Sequence, residues 1–224
     1  SAQLGALADA LCATLPQPQV HASEPGTVDN QAMFALSYGL FVLSAREGER
    51  DNACIINTAA QVTDTPKRIS ITVNKQNLTH DMILKTGVFN LSVLSQDASF
   101  AQFQQYGFRS GRDTADKFDG AEAVRTANGL RYEPAGTNAV LSGKVIQTLD
   151  CGTHTLFLAE VTEARVLSAV PSATYAYYFE HIKPKPQPAA EKKTGFVCKI
   201  CGYVYEGETL PEDYICPLCK HGAE

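Results

Sequence analysis

The chain has 224 residues, 44% hydrophobic and 19% charged, with a formal net charge of −5 and a sequence pI near 5.6. That length suits one medium domain with a good hydrophobic core plus an accessory piece. The acidic balance argues against a nucleic-acid or anionic-membrane surface, and no apolar stretch approaches the roughly 20 residues a membrane helix needs.

Residues 1–15 carry Leu4, Leu7, Leu11 and Leu15 at helical spacing, before a segment rich in proline breaks the pattern. No positive region precedes an apolar run here, so the segment is not expected to be a signal peptide. It opens on Ser1, which fits processing or the end of a preceding domain. Residues 34–45 read as buried strand, and Asn52 to Thr63 as a second strand with polar residues set into an apolar run. Ile69 to Val73 alternates with period two, the pattern of a half-buried strand. A short helix is expected next, capped by Thr79, with Asp81 in its first turn and Gly87 at its end. Val88 to Leu94 is strand again. Asp97 is the expected cap of a helix over 99–108, and a polar loop follows from Arg109 to Phe118. Val140 to Leu149, Thr155 to Val161 and the aromatic run Tyr175 to Phe179 read as further strands. Many strands, few helices and no βαβ rhythm predict a mainly β protein built on a closed antiparallel barrel. A Pro- and Lys-rich linker, extended and semi-rigid, occupies 183–195. The expected divisions are therefore 1–27, 28–182, 183–195 and 196–224.

The last of these holds two Cys-x-x-Cys pairs, Cys198 with Cys201 and Cys216 with Cys219. A segment so short has too little to bury and needs a tetrahedral metal to fold. Gly202 fits a turn that demands positive φ, and Pro217 stiffens the second turn. Four thiolates at this spacing suit zinc in a structural ribbon or a single iron. The aromatic set Phe196, Tyr203, Tyr205 and Tyr214 favours iron, because a redox iron benefits from a dry packed shell. The remaining Cys12, Cys54 and Cys151 are odd in number and scattered, which reads as buried or incidental thiols in a reducing, cytoplasmic setting. Through Cys-x-x-Cys-Gly-Tyr-x-Tyr and Leu-Pro-x-x-Tyr-x-Cys-Pro-x-Cys the tail resembles rubredoxin. Its shortened loop, Gly202 to Ile215, resembles the form that ends rubrerythrin-type proteins.

No Gly-x-Gly-x-x-Gly and no phosphate-binding Gly-x-x-x-x-Gly-Lys occurs, so a Rossmann fold and a P-loop are not expected. A one-electron metal fed by NADH or NADPH needs a two-to-one converter, and a flavin is the natural one. Lys75, Asn77 and Thr79 at a helix N-terminus offer what a phosphate requires. Asn57, Thr58, Gln61 and Thr63 beside the small Ala59 and Ala60 suit a flat polar ring edge. Each alone also reads as a capped helix or a polar strand edge.

Together, the stretches Asn52 to Pro66, Ile69 to Asp81, Ser110 to Phe118 and Gly152 to Val161 resemble the flavin reductase-like family, the FMN-binding split barrels. The resemblance implies that Asn57, Thr58, Ala59 and Gln61 line the ring of FMN. It implies that Asn74, Lys75, Asn77, Thr79 and His80 hold the ribityl chain and phosphate. The loop containing Arg109 and Ser110 would close over the site, and the family is dimeric. His154 is the candidate catalytic residue near the ring, and an ordinary strand histidine fits it as well. A split barrel joined to a rubredoxin-like tail implies electron flow from NAD(P)H through FMN to a Cys₄ iron, and on to a flavodiiron-type acceptor that reduces O₂ or NO. The alternatives are a flavin reductase carrying a structural zinc ribbon, and a non-enzymatic carrier or fragment of a larger oxidoreductase.

Overall fold

The computed structural model describes residues 24–184, 195–200, 202–207, 209–211, 213–217 and 221–222. The N-terminal leucine stripe, most of the Pro- and Lys-rich linker, Cys201 and Cys219 lie outside the described residues. The chain divides into two compact units, residues 1–36 and 37–224. In the first, a single 3₁₀ stretch spans Asn30–Ala35. The expected strand over 34–45 is therefore confined to its second half.

The second unit is mainly β. Its strands are β1 (Phe41–Glu47), β2 (Arg50–Ile56), β3 (Ala59–Thr63), β4 (Arg68–Asn74), β5 (Val88–Leu94), β6 (Val124–Arg125), β7 (Arg131–Tyr132), β8 (Thr137–Asp150) and β9 (His154–Val166). The tail adds β10 (Gly195–Val197) and β11 (Val204–Glu206). Helix α1 is Leu78–Thr86, between β4 and β5. Two shorter helical stretches, α2 (Phe100–Phe103) and α3 (Tyr175–Tyr177), each continue into a π turn.

Seven strands form one sheet in the order β2-β1-β5-β8-β9-β4-β3, with antiparallel pairing throughout. β2 and β3 follow each other in the chain yet stand at opposite ends of this ladder. Two residues, Asn57 and Thr58, bridge Ile56 and Ala59. That link reaches no more than about 11 Å, so the sheet must curl until its two edges meet at this corner. The barrel closes covalently at 57–58 and no β2–β3 pairing joins its edges, so the antiparallel barrel read from the strand pattern takes the split form that the resemblance implies. For the same reason Asn52 to Thr63 is two strands and not one.

Inside the barrel, Leu43, Ile71, Val73, Phe89 and Phe157 pack with Met82 and Ile83, which α1 inserts at one end. β4 alternates as expected, with Ile69, Ile71 and Val73 buried. β1 does not alternate, because its other face is covered too. Val42 joins Leu40, Leu94, Phe103, Tyr106, Phe118 and Tyr178 in a second core outside the barrel.

Three helix expectations change. Asn77, not Thr79, is the N-cap of α1, while Gly87 ends it as expected in the left-handed region (φ 71°). Ser99, not Asp97, caps α2 in a capping box with Gln102. Tyr175 to Phe179 is helical, since Thr174 Oγ1 accepts from the Tyr177 amide at 3.1 Å and starts the turn. Aromatic content suggested a strand there. The spacing that matters is i to i+4, which brings the rings of Tyr175 and Phe179 to 4.9 Å and leaves Tyr178 against Phe103 at 4.4 Å.

Phe89 lies opposite Gly143 in the β5–β8 pair, and a Cβ on Gly143 would stand 2.3 Å from the ring. Phe89 is fully buried and has nowhere to move. Gly143→Ala is expected to lower unfolding free energy by about 1–3 kcal/mol, measurable as an earlier urea midpoint.

Candidate functional site

The corner where the barrel edges meet is built from short-range bonds. Thr58 gives its carbonyl to the Thr72 amide (3.0 Å) and its hydroxyl to the Thr72 carbonyl (2.7 Å), which pins the link to β4. Asn57 beside it is half-buried, and Ala59 stands in register with Ile71. Gln61 is exposed further along β3, bonded only to its neighbour Thr63 among the described contacts.

At its far end β4 finishes on Asn74, paired with His154 of β9. Asn74 turns the chain by accepting from the amides of Gln76 on its side chain (2.9 Å) and Asn77 on its carbonyl (3.0 Å). The Lys75 amide donates to the Thr153 carbonyl at 3.0 Å, and its ammonium meets Asp150 at 2.7 Å. That bond, helped by the Gly152 amide, holds the Asp150 carboxyl below its ordinary value. His154 Nδ1 is 2.8 Å from Thr153 Oγ1. Asn74, Lys75 and His154 thus share one edge.

Helix α1 starts next, and the Asn77 side chain makes no capping bond there. A cavity of about 330 Å³ opens at this start, lined by Asn77, Thr79, Cys54, Arg109, Ser110 and Gly111 among others. Four predicted residues, Asn77, Thr79, Arg109 and Ser110, therefore come together. An uncapped helix start facing a polar cavity is the local chemistry an anion fits. Thr79 is fully buried and accepts from Asn52 Nδ2 at 2.8 Å. The expectation that His80 holds a phosphate meets a buried ring with both nitrogens bonded inside the protein, Nδ1 to Asp81 (3.0 Å) and Nε2 to Thr155 (2.9 Å). Ala59 and Gln61 line a separate, largely apolar cavity of about 420 Å³ at the barrel mouth.

Three polar residues of the site escaped sequence reasoning. Asn52 sits under the loop and would clash with any side chain at Gly111, whose Cβ would fall 2.3 Å from Asn52 Oδ1. Cys54 reaches the cavity wall, but its thiol is desolvated, and burial pushes it up to about 11 against a bond with Thr79. Lys117 is 1% exposed, with Nζ donating to the carbonyls of Tyr106 and Arg109. Desolvation brings its ammonium down to about 8. Nothing in the polar run 109–118 marks one lysine as buried.

In the tail, β10 and β11 pair so that Phe196 opposes Tyr205, and Tyr205 packs on Tyr214 with ring centroids 4.7 Å apart. Gly202, at φ 78°, donates its amide to the Cys198 carbonyl at 2.8 Å, closing the expected turn. Cys198 and Cys216 line one cavity of about 340 Å³ with Phe196, Tyr203, Leu210 and Tyr214. Cys216 is 2% exposed, and Tyr214 Oη is buried without a partner among the described residues. Two thiols facing one aromatic pocket fit a thiolate-bound metal.

The model of the family described as "Flavin reductase like domain" matches residues 33–185. The chain belongs to the flavin reductase-like family. A second model, "Rubrerythrin, rubredoxin-like domain", matches 196–224. The high molecular weight rubredoxin of Moorella thermoacetica is 36% identical over 88% of this chain and 98% of its own length. The ferric-chelate reductase (NAD(P)H) of Archaeoglobus fulgidus is 34% identical over 67% of this chain and 89% of its own. The solved structure of Streptomyces globisporus NADH:FAD oxidoreductase matches with a TM-score of 0.57 at 21% identity, covering 70% of this chain and 93% of that one, and supports the fold alone. The expected split barrel with a rubredoxin-like tail is borne out. Among the described residues no helix is long and apolar enough to cross a membrane.

For this family member the depressed Lys117 makes a signed prediction. Its folded-state pKa lies below the ordinary 10.5, so the penalty of burying the charge is full below about pH 8 and is relieved as pH rises towards 10.5. Cys54, pushed the other way, opposes this trend between its model-compound 9.0 and about 11. The difference between wild type and Lys117→Met reports the lysine together with its charge interaction with Cys54. Denaturant titrations are expected to find wild type gaining roughly 3 kcal/mol on the variant between those limits.

Proposed function

We propose that this chain is an NAD(P)H-dependent flavin reductase that passes electrons from FMN to a single iron in its own tail, and from there to a flavodiiron-type acceptor. The observation that carries the reading is the joining, in one chain, of a flavin reductase-like barrel with an anion-receptive helix start and a tail in which Cys198 and Cys216 line one aromatic pocket. Bound FMN would supply the conversion from a two-electron hydride donor, NADH or NADPH, to the single electrons that an iron accepts.

Asn57, Thr58 and Ala59 lie along the isoalloxazine, and Gln61 flanks it. The rigidity of that edge comes from the two hydrogen bonds between Thr58 and Thr72 of β4. Lys75, Asn74 and Asn77 hold the ribityl phosphate at the start of α1, and Arg109 and Ser110 close over it. Thr79 supports the cavity floor through Asn52. His80 acts from behind, fixing Asp81 and Thr155. His154 stands on the edge with Asn74, where the nicotinamide or ring approaches. Cys198, Cys201, Cys216 and Cys219 ligate the iron, and the tyrosines keep water from the sulfurs. The protein works as a cytoplasmic homodimer. Tail aromatics favour iron over a structural zinc, and metal analysis of purified protein separates the two.

Lys75→Gln is expected to weaken FMN roughly tenfold and riboflavin less than about twofold, since only FMN carries the phosphate. Quenching of flavin fluorescence measures both, and equal losses would place the phosphate elsewhere. Cys216→Ser is expected to abolish the visible absorbance of a ferric thiolate centre while NADH still bleaches the bound flavin in stopped flow. Loss of flavin binding in that variant would refute independent modules.

A further inference from the structure

The loop from Arg109 to Thr114 is tied down more firmly than a polar surface loop needs to be. From beneath, Lys117 holds the Arg109 carbonyl. From β2, Arg50 Nη2 donates to the carbonyls of Gly111 (2.7 Å) and Thr114 (3.3 Å). Within the loop, Ser110 accepts from the amides of Arg112 on its hydroxyl and of Asp113 and Thr114 on its carbonyl. Gly111 lies so close to Asn52 that no side chain fits between them.

Arg112 does something different. Its side chain leaves the loop and reaches the start of α1, on the other wall of the cavity. Nε donates to the Gln76 carbonyl at 3.2 Å, and Nη2 to Asp81 Oδ2 at 2.7 Å. Asp81 is itself held by His80, whose other nitrogen is bonded to Thr155 of β9. The tie therefore ends on the barrel wall and not on a loose surface carboxylate. It is half-exposed, so an open state in which Arg112 and Asp81 are separately hydrated lies within reach.

We propose that Arg112 is the positioning residue that straps the 109–114 loop across the cavity and makes the flavin a resident group instead of a diffusing substrate. The inference rests on the reading that the cavity holds the flavin phosphate. With the strap fastened, the phosphate end is enclosed between the α1 start and Ser110–Gly111, and exchange requires breaking both Arg112 bonds. An enzyme that relays electrons to a centre in its own chain needs its flavin to stay, whereas one that supplies reduced flavin to a separate oxygenase needs it to leave. Fastening is therefore a choice between two modes of the same reductase chemistry.

The test uses full-length protein loaded with FMN. Release is followed as the rise of FMN fluorescence on large dilution into flavin-free buffer, over a range of salt. Wild type that binds no FMN in an equilibrium fluorescence titration would undo the underlying flavin reading, whatever Arg112 does, whereas FMN that binds there but is lost through desalting would overturn residence alone. Given retention, Arg112→Gln is expected to speed release roughly five- to tenfold, Arg112→Lys less, and wild-type release to accelerate with salt more steeply than Arg112→Gln release, which keeps only the salt dependence of the phosphate contacts. Asp81→Asn is expected to speed release without adding to Arg112→Gln in the double variant. Unchanged release in Arg112→Gln, or additive effects with Asp81→Asn, would overturn the strap. So would equal salt dependence in wild type and variant, which is the mark of a general loosening.

Discussion

The structure depends on the two-residue link between β2 and β3. A ladder of seven strands has two free edges, and antiparallel pairing alone does not say where they go. Here Asn57 and Thr58 make the decision, because the chain between Ile56 and Ala59 is too short to let the edges part at that end. The sheet must roll, and rolling encloses Leu43, Ile71, Phe89 and Phe157 in a dry interior. Away from the link the edges diverge. The polar backbone exposed at such a split is costly where it is buried and useful where a ligand with a polar rim can meet it. Thr58 covers part of it by bonding Thr72 twice. The rest falls beside Asn74, Lys75 and the start of α1.

A second constraint follows from the same geometry. Because α1 closes one end of the barrel with Met82 and Ile83, its N-terminus must point outward at the corner. Its dipole is then left facing a cavity, with no capping bond from Asn77. Asn52, Thr79 and Cys54 fill the space behind it with polar atoms that satisfy one another. Lys117 brings a charge into that layer at a cost in desolvation, relieved only by two backbone carbonyls. Buried polar groups of this kind fix the loop above them in one position more sharply than apolar packing does.

What the sequence made legible was what periodicity and short motifs encode. Ile69 to Val73 alternates because one face is wet, and the cysteine spacing in the tail announces its chemistry without reference to the fold. The β2–β3 break was hidden, since Asn57-Thr58 sits inside a run whose apolar content reads as one strand. Tyr175 to Phe179 was misread because aromatic residues favour strands on average, while here Thr174 and i to i+4 ring contacts decide for a helix. The site was half visible. Lys75 and Asn77 stand where a helix start predicts. His80 carries the same polar signal yet faces inward, because Ile83, three residues on and on the same side of the helix, packs in the core, and His80 meets Phe157 and Thr155. Arg112 and Lys117 lie in one polar stretch, and only tertiary contacts separate a strap from a buried cation.

The barrel and the tail reach stability by different routes, and this bears on what each can tolerate. The barrel domain has two buried apolar cores, one inside the barrel and one against its outer face. The tail has strands of three residues, and Phe196, Val197, Ile200, Val204 and Ile215 all leave at least 40% of their surface exposed. Among its described residues Cys216 is buried, and half-buried Tyr205 packs on Tyr214. Such a hairpin is marginal alone. A metal held by the four cysteines would then be fold and function at once, since removing it takes away the cross-link that positions the aromatic shell as well as the electron site. In the barrel those roles are only partly shared: Phe89 and Ile71 hold the fold away from the cavity at the α1 start, while Ala53 and Tyr106 of the second core also reach its wall. Evolution of the electron path can therefore retune the barrel's site residue by residue, but it must treat the tail as a single unit.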